Sequence, residues 1–182
     1  MDSDQKLLKV AIKLVAALDK EADKCLPKDV SDVVKLHSKI AVGSSWIPVP
    51  GVDVVAGATN IWTMYGRINS KLGFTIKDNV LKTIASGVAT NLASYLAVSG
   101  VASAMKLIPG IGSIGGAIVM SASLYAVTLA SGYVYLKALL LLAQQKGPQM
   151  KDLSGLGEAI NTALKDSNLS EFISEAKKEY KK

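Results

Sequence analysis

Few residues in this chain have side chains that could do chemistry, and none sits in a recognisable constellation. His37 is the only histidine and Cys25 the only cysteine among 182 residues. A lone imidazole can act as a general base or ligate a metal. Here, however, no second histidine, cysteine or acid stands at ligand spacing. His37 shares a helical stripe with Val30, Val33, Val34, Ile40 and Ala41, which points to a hydrogen-bonded core residue. Nothing near Cys25 would lower its pKa, so it reads as an inert structural thiol. A single cysteine excludes an intramolecular disulfide and fits a reducing compartment. Asp53 is the one charge between residues 40 and 66, inside "VPGVDVVAG". It reads as an acid near a helix N-terminus, where the dipole favours it, or as a group facing a polar partner. His37 and Asp53 are the two candidate functional side chains.

"GIGSIG", Gly110 to Gly115, spells the dinucleotide-binding pattern, but that motif needs a preceding strand and an acid about 20 residues later. A helical pattern precedes it, and the next acid is Asp152. No Gly-Lys-Ser/Thr phosphate loop, Ser/His/acid set, carboxylate pair or metal spacing occurs. A non-enzymatic protein without cofactor or metal is the expectation.

The elements around these residues are helical throughout, because period-2 alternation is absent. An amphipathic helix over 5–24 carries Leu7, Leu8, Ala11, Leu14, Val15 and Leu18 on one face and Lys6, Lys13 and Lys20 on another. Acids share its polar face, so docking on a core is favoured over lying on a membrane. A second helix covers 29–44. A third runs from Val52 to Leu72 with Gly73 as its C-cap. Thr75 followed by Asp78 resembles a capping box opening a fourth, to about Met105. A fifth starts near Ile111 and runs to about Gln145, before Gly147-Pro148. Residues 154–180 read as two short amphipathic helices. The expected fold is all-α: one domain over 1–182, a compact helical bundle with a central apolar, Gly/Ala/Ser-rich helical hairpin flanked by amphipathic helices.

"IPVPGVDVVAGA" and "LIPGIGSIGGA" echo each other at a constant offset, Gly51 to Gly110 and Gly57 to Gly116. Each opens a helix: Pro50 and Pro109 stiffen the loop, and Gly51 and Gly110 let it turn. Gly57 and Gly116 would let a neighbouring helix approach, and Gly112-x-x-x-Gly116 is a small-residue packing motif.

Net charge is +6, yet most lysines alternate with acids, eight against seven in residues 1–40. Arg67, Lys71, Lys77 and Lys82 against Asp78 form the one local excess. Without clustered arginine and stacking aromatics, no nucleic-acid partner is expected. Between Lys82 and Lys137 lie 54 residues with one charge, Lys106. Two segments there, 83–105 and 107–136, are long enough to span a bilayer. The first has fourteen Gly, Ala, Ser or Thr residues and eight large apolar ones, and the second has fifteen large apolar residues, making it the stronger candidate. Lysines flank the pair on one side, which by the positive-inside rule would leave both ends in the cytoplasm.

The stretches "IPVPGVDVVAGATNIWTMYGRINSKLGFTI" and "LIPGIGSIGGAIVMSASLYAVTLASGYVYLK" resemble the domain-of-unknown-function 697 family, the YcjF type. The match covers about 30–142, through Ile47, Pro50, Gly51, Met64, Gly73, Pro109, Gly110, Gly112, Ala117 and Gly132. The resemblance implies a helical module often attached to Era-like small GTPases or found in inner-membrane proteins, and it supplies no catalytic residues. With no nucleotide-binding domain in this chain, any GTPase would act in trans.

These features lead to the expectation of a non-enzymatic protein at the cytoplasmic face of the inner membrane or inserted in it, switching between soluble and inserted forms. Membrane lipid is the expected partner, and oligomers are open. The alternatives are a soluble helical adaptor for a GTPase or other protein, and a pore-forming effector.

Overall fold

In the computed structural model, residues 3–44, 52–98, 114–147 and 150–165 are described. They form six helices and, among the described residues, no strand: α1 (Ser3–Cys25), α2 (Lys28–Ser44), α3 (Val52–Leu72), α4 (Asp78–Val98), α5 (Ile114–Lys146) and α6 (Leu156–Lys165). The expected all-α bundle is what the chain forms.

In α1, Ala17, Leu18 and Ala22 lie at helical spacing and are buried, followed by Leu26 in the turn beyond. Pro27 stops the helix, since a residue before proline is pushed out of the helical region. The Pro27 carbonyl then accepts from the N–H groups of Val30 and Ser31, at 3.0 and 2.8 Å, and so caps α2. Asp23 of α1 ties the hairpin by accepting from Ser31 Oγ at 3.0 Å and Lys35 Nζ at 2.5 Å. The bond from Lys35 holds its carboxyl below the usual range.

On α2 the buried face is Val30, Val33, Val34, His37, Ser38 and Ala41. Ile40, assigned to this stripe on spacing, is instead 46% exposed, as is Leu36. α2 packs mainly on α3 and α5 and touches α1, and the edge carrying Leu36 and Ile40 is left exposed.

α3 ends as expected at Gly73, whose φ of 73° is the left-handed conformation that glycine accepts freely. Phe74 N–H reaches back to the Asn69 carbonyl at 2.9 Å and Gly73 N–H to that of Ser70 at 3.4 Å, a Schellman closure. The start of α4 differs from the Thr75 capping box. Val80 and Leu81 donate to the Lys77 carbonyl, both at 3.1 Å, so Lys77 is the cap and Asp78 the first helical residue. Phe74 and Ile76 are both packed against the core, which keeps the loop extended past Thr75. Asp78 therefore acts through the helix dipole rather than as a capping partner.

α4 buries a single stripe, Leu81, Ala85, Val88 and Leu92. α5 differs: from Leu129 to Leu136 every residue is buried, and α1, α2, α3, α4 and α6 all pack on it. A helix apolar on all sides must be surrounded in this way. It ends where Gly147 turns at φ 92°. Lys146 Nζ then ties the chain to α6, donating to Asp152 Oδ2 at 2.8 Å and Ser154 Oγ at 2.6 Å.

Two contacts with the same sequence separation of 66, Tyr65 to Ser131 and Asn69 to Tyr135, show that α3 and α5 run parallel. α2 and α4 run antiparallel to them. The C-termini of α2 and α4 and the N-termini of α3 and α5 therefore share one end of the bundle. The two Pro-Gly segments connect helices at that end. Pro50, Gly51, Pro109, Gly110 and Gly112 themselves lie outside the described residues, as do 99–105, 111–113 and 166–182 from the expected helices.

Candidate functional site

α5 is the element on which a function can be argued. Among the described residues one helical stretch is long and apolar enough to cross a membrane. It is Leu124–Lys146, 23 residues with a mean hydropathy of 1.7, and 72% of its most apolar part is buried within the protein. At 1.5 Å per residue it spans about 35 Å, against a hydrocarbon core of about 30 Å.

Three polar contacts hold this apolar rod in register. Tyr125 donates its hydroxyl to the Asp19 carboxylate of α1. The Tyr65 hydroxyl donates to the Ser131 carbonyl at 3.2 Å, and the Tyr135 hydroxyl to Asn69 Oδ1 at 2.8 Å. The rings of Tyr65 and Tyr135 stack at 3.9 Å and 11°, so α3 and α5 share one aromatic–amide cluster. Burial pushes the Tyr65 phenol far above its ordinary pKa and keeps it a donor. The hydroxyl of Ser131 is satisfied within α5, donating to the Thr128 carbonyl at 2.7 Å. Asn69 Nδ2 is buried with no hydrogen-bond partner.

His37 lies at the seam between α2 and α3, 2% exposed. Asn60 grips it twice. Asn60 Nδ2 donates to the His37 carbonyl at 2.7 Å, and Asn60 Oδ1 stands 2.7 Å from His37 Nδ1. With the amide oriented by its own donor, Oδ1 must accept, so Nδ1 carries the proton of the neutral ring. Nε2 is buried without a hydrogen-bond partner. Protonating it would bury a charge, and this desolvation holds the imidazole below its usual pKa, with the Arg67 cation adding to the effect. The geometry makes His37 a clamp between helices.

Asp53, Gly57 and Gly116 lie in the helical stretches at the starts of α3 and α5, as the sequence pattern has them. Asn60, the partner of His37, stands about two turns beyond Asp53 along α3. Cys25 is exposed at the end of α1. Among the described residues no three His, Cys, Asp or Glu side chains gather to hold a metal.

No family model, curated protein or solved structure matches this chain. The reading of the site therefore rests on its own geometry. Sequence reasoning did not single out Asn60, Asn69, Tyr65, Tyr135, Asp19 or Tyr125. One signal was available: Asn69 adjoins Ile68 on the stripe formed by Ile61, Met64, Tyr65 and Ile68, and an amide on such a stripe needs a partner.

Proposed function

We propose that this is a non-enzymatic helical protein of the cytoplasmic face of the inner membrane, able to pass between a closed bundle and a form in which α5 enters the bilayer. The observation that carries it is the 23-residue apolar stretch Leu124–Lys146, sheathed by the amphipathic helices α1, α2 and α6. Polar side chains on the antiparallel α4 support the reading. Thr83, Thr90 and Asn91 each bond to a carbonyl of their own helix, four residues back. They would carry those bonds into a solvent that offers none. Kinship with the domain-of-unknown-function 697 family belongs to the same proposal and rests on the two Pro-Gly-led helices.

Cell fractionation with a carbonate wash, joined to flotation of the purified chain with anionic vesicles, tests it. Recovery in the carbonate-resistant pellet supports the inserted form, and flotation with carbonate release supports the surface form. A detergent-free monomer that ignores vesicles and fractionates as soluble overturns the reading.

A second reading is favoured by the burial of α5: 72% of its apolar window is covered, as in the core helix of a water-soluble bundle. On it the bundle stays closed and acts as an adaptor, with a GTPase or another protein in trans. Nucleotide-dependent capture of a GTPase, together with failure to float, favours it.

A further inference from the structure

We propose that the groove between α2 and α3 docks the headgroup of an anionic phospholipid, and that it is the first contact of the closed bundle with a membrane surface. The inference rests on the membrane reading above and names the face and the lipid class. The groove has a volume of about 380 Å³ and is lined by Asp32, Val33, Leu36, Arg67, Ser70 and Lys71. That size takes a phosphate headgroup and the start of a chain, at the lower end of ligand-site volumes.

Its chemistry is divided as a lipid's is. Arg67 and Lys71 stand four residues apart on α3, both exposed, and neither makes an ion pair among the described residues. Two like charges one turn apart are mildly unfavourable on a helix, and a shared anion relieves that. The guanidinium offers paired donors to phosphate oxygens, the ammonium a point charge, and the Ser70 hydroxyl, between them in sequence, a neutral donor. On the facing helix Leu36 is 46% exposed, and Ile40, one turn on, is 46% exposed. Within the groove, the exposed Leu36 and the side chain of Val33 beside two unpaired cations match the apolar and anionic parts of one amphiphile, and Ile40 extends the apolar edge beyond it. Asp32 is the single acid in the groove and opposes the binding of an anion.

The test uses the full chain in flotation with phosphatidylcholine vesicles, with and without phosphatidylglycerol. Wild type is expected to float with the anionic vesicles and not with the neutral ones. Arg67→Gln/Lys71→Gln should weaken that binding roughly 30-fold, since each cation near an anionic surface contributes about 1 kcal/mol. Lys151→Gln/Lys165→Gln, which removes the same charge from exposed sites elsewhere, should change it less than threefold. Asp32→Asn should strengthen binding about fivefold by the same constant, a gain that a damaged fold would not give. Equal losses in the two double variants, or no gain in Asp32→Asn, overturn the groove while leaving the membrane reading standing. Equal flotation with neutral and anionic vesicles also overturns it. Failure of wild type to float with either vesicle overturns the groove, and together with soluble fractionation it overturns the membrane reading as well.

Discussion

Replacing Gly132 by alanine should reveal how closely α2 lies on α5. A Cβ built at Gly132 would stand 2.5 and 2.7 Å from the two γ-carbons of Val34 and 3.2 Å from its Cβ. All three atoms belong to a β-branched side chain, stiff at χ1 in a helix and fully buried. The clash is therefore relieved only by moving one helix away from the other. Overpacking of this kind costs about 1–3 kcal/mol. Against it stands a gain of about 1 kcal/mol from alanine over glycine in a helix interior. The net expectation for Gly132→Ala is a loss of up to about 2 kcal/mol, or up to roughly 8 °C in melting temperature for a chain of this size. Val34→Ala removes both γ-carbons. In that background the same Gly132→Ala change should stabilise by up to about 1 kcal/mol, because the propensity gain remains and only the 3.2 Å approach to the retained Cβ is left. The difference between the two backgrounds corresponds to a coupling of about 1–3 kcal/mol, within the range for residues in contact. Urea or thermal melts of the four proteins by circular dichroism measure it. If Gly132→Ala stabilises the wild type, or has the same effect in both backgrounds, the close approach of α2 to α5 is refuted.

Other tests address the polar seam. His37 is held neutral when folded, with its pKa below the unfolded value of about 6.5. Above that pH neither state binds the proton; below it the unfolded chain does and the folded one does not. Its contribution is thus fully present above about pH 6.5 and is lost as pH falls toward the depressed folded value, by at most about 1.4 kcal/mol per pH unit. Urea melts of wild type and His37→Gln between pH 5 and 7.5 should differ in slope, and equal slopes would remove the histidine as the cause. Tyr135→Phe leaves Asn69 Oδ1 without its donor, next to an amide nitrogen already unpartnered, and should cost about 1–3 kcal/mol. Adding Asn69→Leu should recover part of that loss, and a neutral Tyr135→Phe would contradict the buried hydrogen bond.

Local chemistry made the helix boundaries legible. Gly73 and Gly147 stop α3 and α5 because a left-handed residue ends a helix whatever surrounds it, and Pro27 separates α1 from α2 for an equally local reason. The composition of 107–136 marked it as the stronger bilayer-spanning candidate of the pair, and the apolar stretch among the described residues is Leu124–Lys146, shifted toward the C-terminus and mostly buried. Where the reading failed, the deciding interaction came from another helix. Thr75 has the spacing of a cap, but core packing of Phe74 and Ile76 moves the start of α4 to Lys77. Ile40 fits the apolar stripe of α2, yet the neighbours of α2 leave that edge exposed. The tyrosine–amide contacts span 66 positions, and no window short enough to show helical periodicity can contain both partners.

Those long-range contacts also bear on how α5 could leave the bundle. Tyr125 and Tyr135 donate outward, to Asp19 of α1 and Asn69 of α3. Each of those acceptors stays behind if α5 moves alone. Ser131, by contrast, bonds within α5, and Thr83, Thr90 and Asn91 bond within α4. In an α4–α5 pair these four polar side chains stay satisfied without α1, α2 or α3, whereas the hydroxyls of Tyr125 and Tyr135 must find new acceptors. An α3–α5 pair would keep the Tyr135–Asn69 bond but take Asn60 into lipid without its partner His37. An amide stripped of its partner in hydrocarbon costs several kcal/mol, more than a hydroxyl that can turn back onto its own helix. On the proposed membrane reading, the balance favours insertion as the antiparallel α4–α5 hairpin. Locking α4 to α3 by an engineered crosslink should then abolish carbonate resistance while leaving flotation intact, whereas insertion of α5 alone would survive the lock.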